Sequence, residues 1–334
     1  MPALRADIAA HPERHRILTG ERPTGRLHLG HLLGTILERV RLQQAGVETF
    51  VVVADYQVIT DRDTMGDVVS NVHGVIKDNL AAGLDPERTT IFAHSAVPEL
   101  NQLLLPFLSL VSEAELHRNP TVKAEAAAAG RALSGLLLTY PVHQAADILF
   151  CKGTLVPVGK DNLPHVEIAR QIARRFNERY GAVFPEPEGL ITAAPELPGL
   201  DGRKMSKSYG NAIALGMTAE ETAAVIRKAQ TDSDRVITYE PDRRPGVSAL
   251  LDTAAACLGV SAAEISEEIG DAGSGALKTL VATAVNDFLA AHRERRAAID
   301  SSTVSEVLSV GNERARQIAA ATLDEVRTAM GMAY

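Results

Sequence analysis

Two histidines and two lysines in this 334-residue chain are the first residues whose types and spacing suggest chemistry. His28 and His31 flank Leu29-Gly30 in the run Pro23-Thr24-Gly25-Arg26-Leu27-His28-Leu29-Gly30-His31. Imidazoles so placed can donate to phosphate oxygens, and the glycines at 25 and 30 let backbone approach a bulky ligand. A helix starting near His31 would turn its positive end toward the same anion. Such a pair in a strand-to-helix turn can equally be structural. Lys204-Met205-Ser206-Lys207-Ser208 follows Gly202 in a polar loop. Two lysines three apart on a loop can close over a triphosphate and neutralise its outer phosphates. A solvated basic loop is the ordinary alternative, and the order Lys-Met-Ser-Lys-Ser argues against it. Neither a P-loop nor a Gly-x-Gly-x-x-Gly dinucleotide fingerprint occurs in the chain.

The elements that must position these groups alternate in the first half between β-branched runs and helical patterns, the mark of βαβ units. Arg16-Ile17-Leu18-Thr19-Gly20 reads as a first strand closed by its glycine. Leu33, Ile36, Leu37 and Val40 repeat at helical spacing from Leu32 to Ala45, and Gly46 suits the stop. Thr49 to Val53 is an apolar run suited to a strand buried on both faces. A second helix carries Val68, Val72, Val75, Ile76 and Leu80 and ends before Gly83. Thr90-Ile91-Phe92-Ala93 and Thr154 to Val158 are further strands. Roughly residues 98–140 read as a helical insertion, with an alanine-rich middle (Ala124 and Ala126 to Ala129) expected to be mobile. The fold class is therefore α/β, with a parallel-sheet domain over 1–216.

Past residue 216 the strand pattern ceases, and 217–334 reads as an all-helical domain. Thr218-Ala219-Glu220-Glu221 and Thr303-Val304-Ser305-Glu306 are expected capping boxes. Leu277, Leu280, Val281, Val285, Phe288 and Leu289 form one apolar stripe; Ile318, Ala319, Leu323, Val326 and Met330 form another.

Composition bounds the rest. The 46% hydrophobic and 23% charged content is that of a soluble globular protein. No apolar run reaches membrane-spanning length and the N-terminus lacks a signal-peptide core, so a cytoplasmic address without membrane attachment is expected. Cys151 and Cys257 stand in no metal-ligand spacing, and no metal site is expected. A net charge of −8 argues against a general nucleic-acid coat protein while allowing a local basic patch.

Together the two motifs resemble the HIGH and KMSKS signatures of class I aminoacyl-tRNA synthetases, in the right order around a nucleotide fold. Further segments resemble the tryptophanyl-tRNA synthetases: Thr139-Tyr140-Pro141, Ala145-Ala146-Asp147-Ile148-Leu149, Leu155-Val156-Pro157-Val158-Gly159 with Asp161, and Arg175-Phe176-Asn177. The likeness runs over roughly residues 16–334. It implies a Rossmann-type catalytic domain, a helical anticodon-binding domain, a homodimer, and ATP with Mg2+. It also implies L-tryptophan and tRNA(Trp) as partners, the amino acid being joined to AMP and then passed to tRNA.

The resemblance assigns roles residue by residue. His28, His31 and Gly30 would contact ATP, with Arg22, Thr24, Asn162, Met205 and Ser206 around it. Gly159 and Asp161 would hold the ribose, and Lys204 and Lys207 the leaving pyrophosphate. Lys123 aligns with a basic position near the phosphates. Asp147 sits amid apolar neighbours, where a carboxylate needs a donor, and an indole N–H is one; an ion-paired or capping aspartate is the other reading. Tyr140 and Gln144, on the same helical face, would hold the substrate ammonium, with Gln57 beside them. Arg293, Arg295, Arg296, Arg314 and Arg316 offer a basic patch for tRNA, or else solvated helix ends. The sequence departs from the commonest bacterial pattern at Arg22, His28, His31, Gln57, Gln144 and Asn162, which suggests a divergent, auxiliary branch. A tyrosyl-tRNA synthetase, for which Tyr140, Gln144 and Asp147 have suitable spacing, a HIGH-type nucleotidyltransferase that activates a small acid without tRNA, and a non-catalytic paralogue binding RNA or protein are the competing readings.

Overall fold

The computed structural model describes residues 2–60, 66–129, 133–159, 162–192, 197–206 and 209–334. Five strands, β1 (Arg16–Glu21), β2 (Glu48–Val53), β3 (Thr89–Ala93), β4 (Leu155–Val158) and β5 (Glu188–Ile191), form one parallel sheet in the order β3-β2-β1-β4-β5. Every residue of β3 is buried, and β2 is buried from Thr49 onward. That is why these strands read as unbroken apolar runs rather than alternating ones. Phe50 and Val52 face one core while Val51 and Val53 face the other, as a two-residue period requires.

β1 does not stop at Gly20 but runs on to Glu21. The glycine is needed for closeness: a Cβ there would overlap the side chain and carbonyl of Val52 on the next strand. β5 escaped the sequence reading because Glu188-Gly189-Leu190-Ile191 has only two apolar residues and an exposed start. The first helical run is not one regular helix. A short turn at Leu29–His31 passes through a π-helical segment, Leu32–Ile36, into the helix Leu37–Gln44. A single π turn of this kind re-aims the side chains on either side of it.

The inserted region is built from short helices, Pro98–Gln102, Leu104–Leu108, Glu113–Arg118 and Pro120–Ala129, before Gly135–Leu149. The alanine-rich middle is helical as far as described, and Val122, just ahead of it, is buried against Leu137 and Tyr140. That apolar contact ties the start of the helix Pro120–Ala129 to the longer helix.

In the second half the Thr218 capping box is present. The Thr303 box is not, because the helix Ser301–Ala329 starts three residues earlier than that box implies and is capped by Asp300. Its carboxylate accepts from the Thr303 amide and hydroxyl and from Ser302, which lowers its pKa to about 2. A carboxylate at the helix's positive end outcompetes a threonine hydroxyl for that position. The expected stripes do pack. Leu277, Val281 and Leu289 share a core with Val51 and Ile91, while Ala319, Leu323 and Val326 share one with Phe50 and Phe92. Apolar packing therefore runs unbroken across residue 216.

The arginine cluster serves this joint. Arg293 donates to the Met217 carbonyl and to Thr222, Arg295 to the Ala81 carbonyl, and Arg296 pairs with buried Asp78 at 2.6 Å. Arg314 and Arg316 reach Glu48 and Glu99. Their guanidinium groups tie the late helices to other elements of the fold, while Arg314 and Arg316 keep nearly half of their side chains exposed.

Candidate active site

The strand order reverses between β1 and β4, and in open parallel sheets the crevice at such a reversal is where ligands bind. A cavity of 560 Å³ opens there, walled by the ends of β1, β2 and β4. From the first signature it takes Arg22, Thr24, His28 and His31, and from the second Lys204, Met205 and Ser206. Gln57, Tyr140, Gln144 and Asp147 form another wall, and Gly159 and Asn162 a further one. Residues far apart in the chain thus meet in one crevice. Asp161 and Lys207 lie outside the described residues. Lys123 is exposed on the helix Pro120–Ala129 and is not part of the cavity wall.

Backbone pairing joins the first signature to the segment just after the second. Leu29 donates its amide to the Ile213 carbonyl and Leu215 donates to Leu27, each at 2.9 Å, around an antiparallel bridge of His28 with Ala214. The lysine loop is folded around buried Asn211. Its side chain accepts from the Ser206 amide at 2.8 Å and donates to Asp201 and to the Lys204 carbonyl. Met205 is buried, while Lys204 is exposed at the cavity edge. A Cβ on Gly30 would lie 3.2 Å from the His28 ring and 3.4 Å from the Met205 sulfur. Glycine there keeps the two signatures in touch.

His31 accepts from the His28 amide through Nδ1 at 3.2 Å, and Thr35 in the π turn donates to the His31 carbonyl. The acidic wall residue Glu21 is matched by Arg39, a fully buried arginine whose guanidinium also donates to Thr19 and Asn79. The pairing offsets Glu21's charge at the cavity wall.

The opposite end is built on the helix Gly135–Leu149, where Tyr140, Gln144 and Asp147 share a face. Asp147 is not a lone carboxylate: Oδ1 accepts from His94 Nε2 at 2.6 Å, and both residues are buried. The Tyr140 hydroxyl lies 3.2 Å from His165 Nε2. Gln57 meets His143 Nδ1 at 2.9 Å and accepts from Thr60. Burial first, and the neighbouring His94 as well, push the His143 pKa down, against Asp147 and Asp55, which raise it. Asp55 accepts from the Ser95 amide and hydroxyl, clamping the ends of β2 and β3 together.

The sequence reading missed His94, His143, His165, Asn101 and Asn211. His94 directly follows β3, so the rule that sites gather at the carboxyl ends of parallel strands could have flagged it. Asn211 carried no such signal.

Residues 11–290 match the tRNA synthetases class I (W and Y). The chain belongs to this family. It is 39% identical to the tryptophan–tRNA ligase of Thermotoga maritima, over 96% of this chain and the whole of that one. It is 41% identical to that of Lactococcus lactis, over 95% of this chain and 98% of the other. Among solved structures it is similar to Campylobacter jejuni tryptophanyl-tRNA synthetase complexed with ADP and tryptophan. There the TM-score is 0.82 at 29% identity, over 95% of this chain and 99% of that one. An Archaeoglobus fulgidus tyrosyl-tRNA synthetase shares the fold, with a TM-score of 0.67 at 24% identity. In this synthetase family the parallel sheet with its helical second half is the expected framework, and the cavity is placed as a nucleotide site at a strand-order reversal should be.

Proposed function

We propose that this chain is a tryptophan–tRNA ligase, which activates L-tryptophan with ATP and transfers it to tRNA(Trp). The observation that carries the reading is the crevice that gathers both signatures and ends at Asp147. The names and coverage of the relatives support the same conclusion.

In the first step an oxygen of the tryptophan carboxylate bonds to the α-phosphorus of ATP. The bond from that phosphorus to the bridging oxygen breaks, and pyrophosphate leaves with the electron pair. A ribose hydroxyl at the tRNA end then attacks the acyl carbon, losing its proton as AMP departs. The protein's share is positioning and charge stabilisation. Lys204 and Lys207 meet the charge that grows on pyrophosphate. His28 and His31, with Arg22 and Thr24, line the phosphate path, and Gly30 leaves the ATP base room. Gly159, Asp161 and Asn162 take the ribose, while Gln57, Tyr140, Gln144 and Asp147 take the amino acid. Magnesium enters with ATP: the two described carboxylates on the wall, Glu21 and Asp147, are each held by a basic side chain, so a dedicated oxygen cage is not the design.

The helical residues 217–334 take the anticodon role, and the working form is a cytoplasmic homodimer, which light scattering would test. ATP–pyrophosphate exchange against each of the twenty amino acids tests the central reading. Tryptophan is expected to support exchange far above the rest, and faster exchange with tyrosine would overturn the assignment.

A further inference from the structure

The base of the cavity contains more than the carboxylate that faces the substrate. His94 is fully buried, and its Nε2 lies 2.6 Å from Asp147 Oδ1. Its Nδ1 is buried with no hydrogen-bond partner, so the ring proton belongs on Nε2, where it is donated to Asp147. A carboxylate at the end of a short side chain turns easily about its last bond. A hydrogen bond to one oxygen removes that freedom and strengthens as the surroundings lose water.

His94 is itself held. Asn101 donates to the His94 carbonyl at 3.2 Å and accepts from His143 Nε2 at 2.7 Å. His143 Nδ1 in turn meets the Gln57 amide at 2.9 Å. A neutral imidazole offers one donor and one acceptor, which is what these two amides require. The His94 and His143 rings lie 4.6 Å apart. The cavity wall from Gln57 to Asp147 is thus one connected network.

We propose that His94 is a positioning residue for substrate selection: it fixes Asp147 with one oxygen occupied and the other presented to the ring N–H of the amino acid. This rests on the reading of the substrate as tryptophan. A buried carboxylate free to rotate could meet a ligand that lacks the N–H by turning away; one that is pinned cannot, and so rejects it. His94, His143 and Asp147 also have their ligand atoms within 4.8 Å of one another, close enough to hold a cation. Three of the four ring nitrogens are already hydrogen-bonded within this network, which favours the hydrogen-bonded role.

The test compares tryptophan with an analogue bearing sulfur in place of the indole N–H, in pyrophosphate exchange by the full chain. His94→Leu is expected to raise KM for tryptophan about 10- to 100-fold, the loss typical of a hydrogen bond to a charged group. KM for ATP should stay near wild type and KM for the sulfur analogue should fall, so discrimination collapses in KM rather than in kcat. His94→Gln, which can still donate, should restore most of the ratio. Should His94→Leu fail to fold, His94→Asn, too short to reach Asp147, takes its place. If Asp147→Asn destroys discrimination and the His94 variants do not, the proposal falls while the tryptophan reading stands. If wild type itself does not prefer tryptophan to the sulfur analogue, the reading of Asp147 fails and His94 with it. Zinc retained at one equivalent through dialysis, and lost in His94→Leu, would also overturn it, because the cluster would then be a metal site.

Discussion

Arg296→Ala separates two jobs that the arginine cluster could do. Arg296 pairs with Asp78 at 2.6 Å; the arginine side chain is 28% exposed and the aspartate only 2%. Its guanidinium also covers Gly216, where a Cβ would stand 3.4 Å from the guanidinium carbon. Breaking a buried pair costs about 3–5 kcal/mol because the remaining charge cannot easily be hydrated. Partial exposure of the arginine lets some water reach Asp78 in the variant, which lowers the figure to about 2–4 kcal/mol. With a urea slope near ~3 kcal/mol/M, the unfolding midpoint should fall by roughly 1 M. Removing both charges in Asp78→Asn/Arg296→Met should recover much of the loss, since no buried carboxylate then lacks its guanidinium. At a temperature where the variant stays folded, pyrophosphate exchange and tRNA charging should both match wild type. The slope of charging affinity against salt should also be unchanged. A variant with the wild-type midpoint, weaker tRNA charging and a slope smaller by about one unit would refute this reasoning, because that pattern marks a lost phosphate contact.

Lys204→Ala should slow adenylate formation by roughly 2–4 kcal/mol of barrier, with tryptophan binding nearly intact, as single-turnover and equilibrium measurements would show; equal losses in both would mean that the loop shapes the pocket instead. Gly311→Ala should destabilise by about 1–3 kcal/mol despite a helix-propensity gain near 1, because the new methyl would overlap the Ile91 backbone of β3 and backbone cannot swing aside; a raised melting temperature would contradict the close packing. Burial lowers the pKa of both His143 and His292 below the ordinary 6.5. Between the lowered values and 6.5 the unfolded chain binds more protons than the folded one, so stability should be full above pH 6.5 and decline as the pH falls below it. Melting curves at pH 7.5 and 5.5 would check this, and a His292→Gln variant should show a shallower decline; greater stability at the lower pH would refute the assignment.

The sequence by itself determined the class of protein and most of its elements. Lys-Met-Ser-Lys-Ser, the glycine-spaced histidines and the apolar runs at 49–53 and 90–93 are local signals, each legible within a few residues. Asp147 was singled out for the same reason: a carboxylate among Ala145, Ala146 and Ile148 on a helix needs a donor wherever the helix lies. What that donor was, the sequence could not say. His94 is 53 residues away, and only the packing of β3 against the helix Gly135–Leu149 brings it to 2.6 Å. The arginines show the same division. Arg293, Arg295 and Arg296 read as a local run of positive charge, yet what they do depends on Met217, Ala81 and Asp78, carbonyls and a carboxylate supplied by other elements. Propensity, periodicity and motif act along the chain over one or two helical turns. The partner of a buried charge is chosen across the fold, by whichever element the hydrophobic cores press against it.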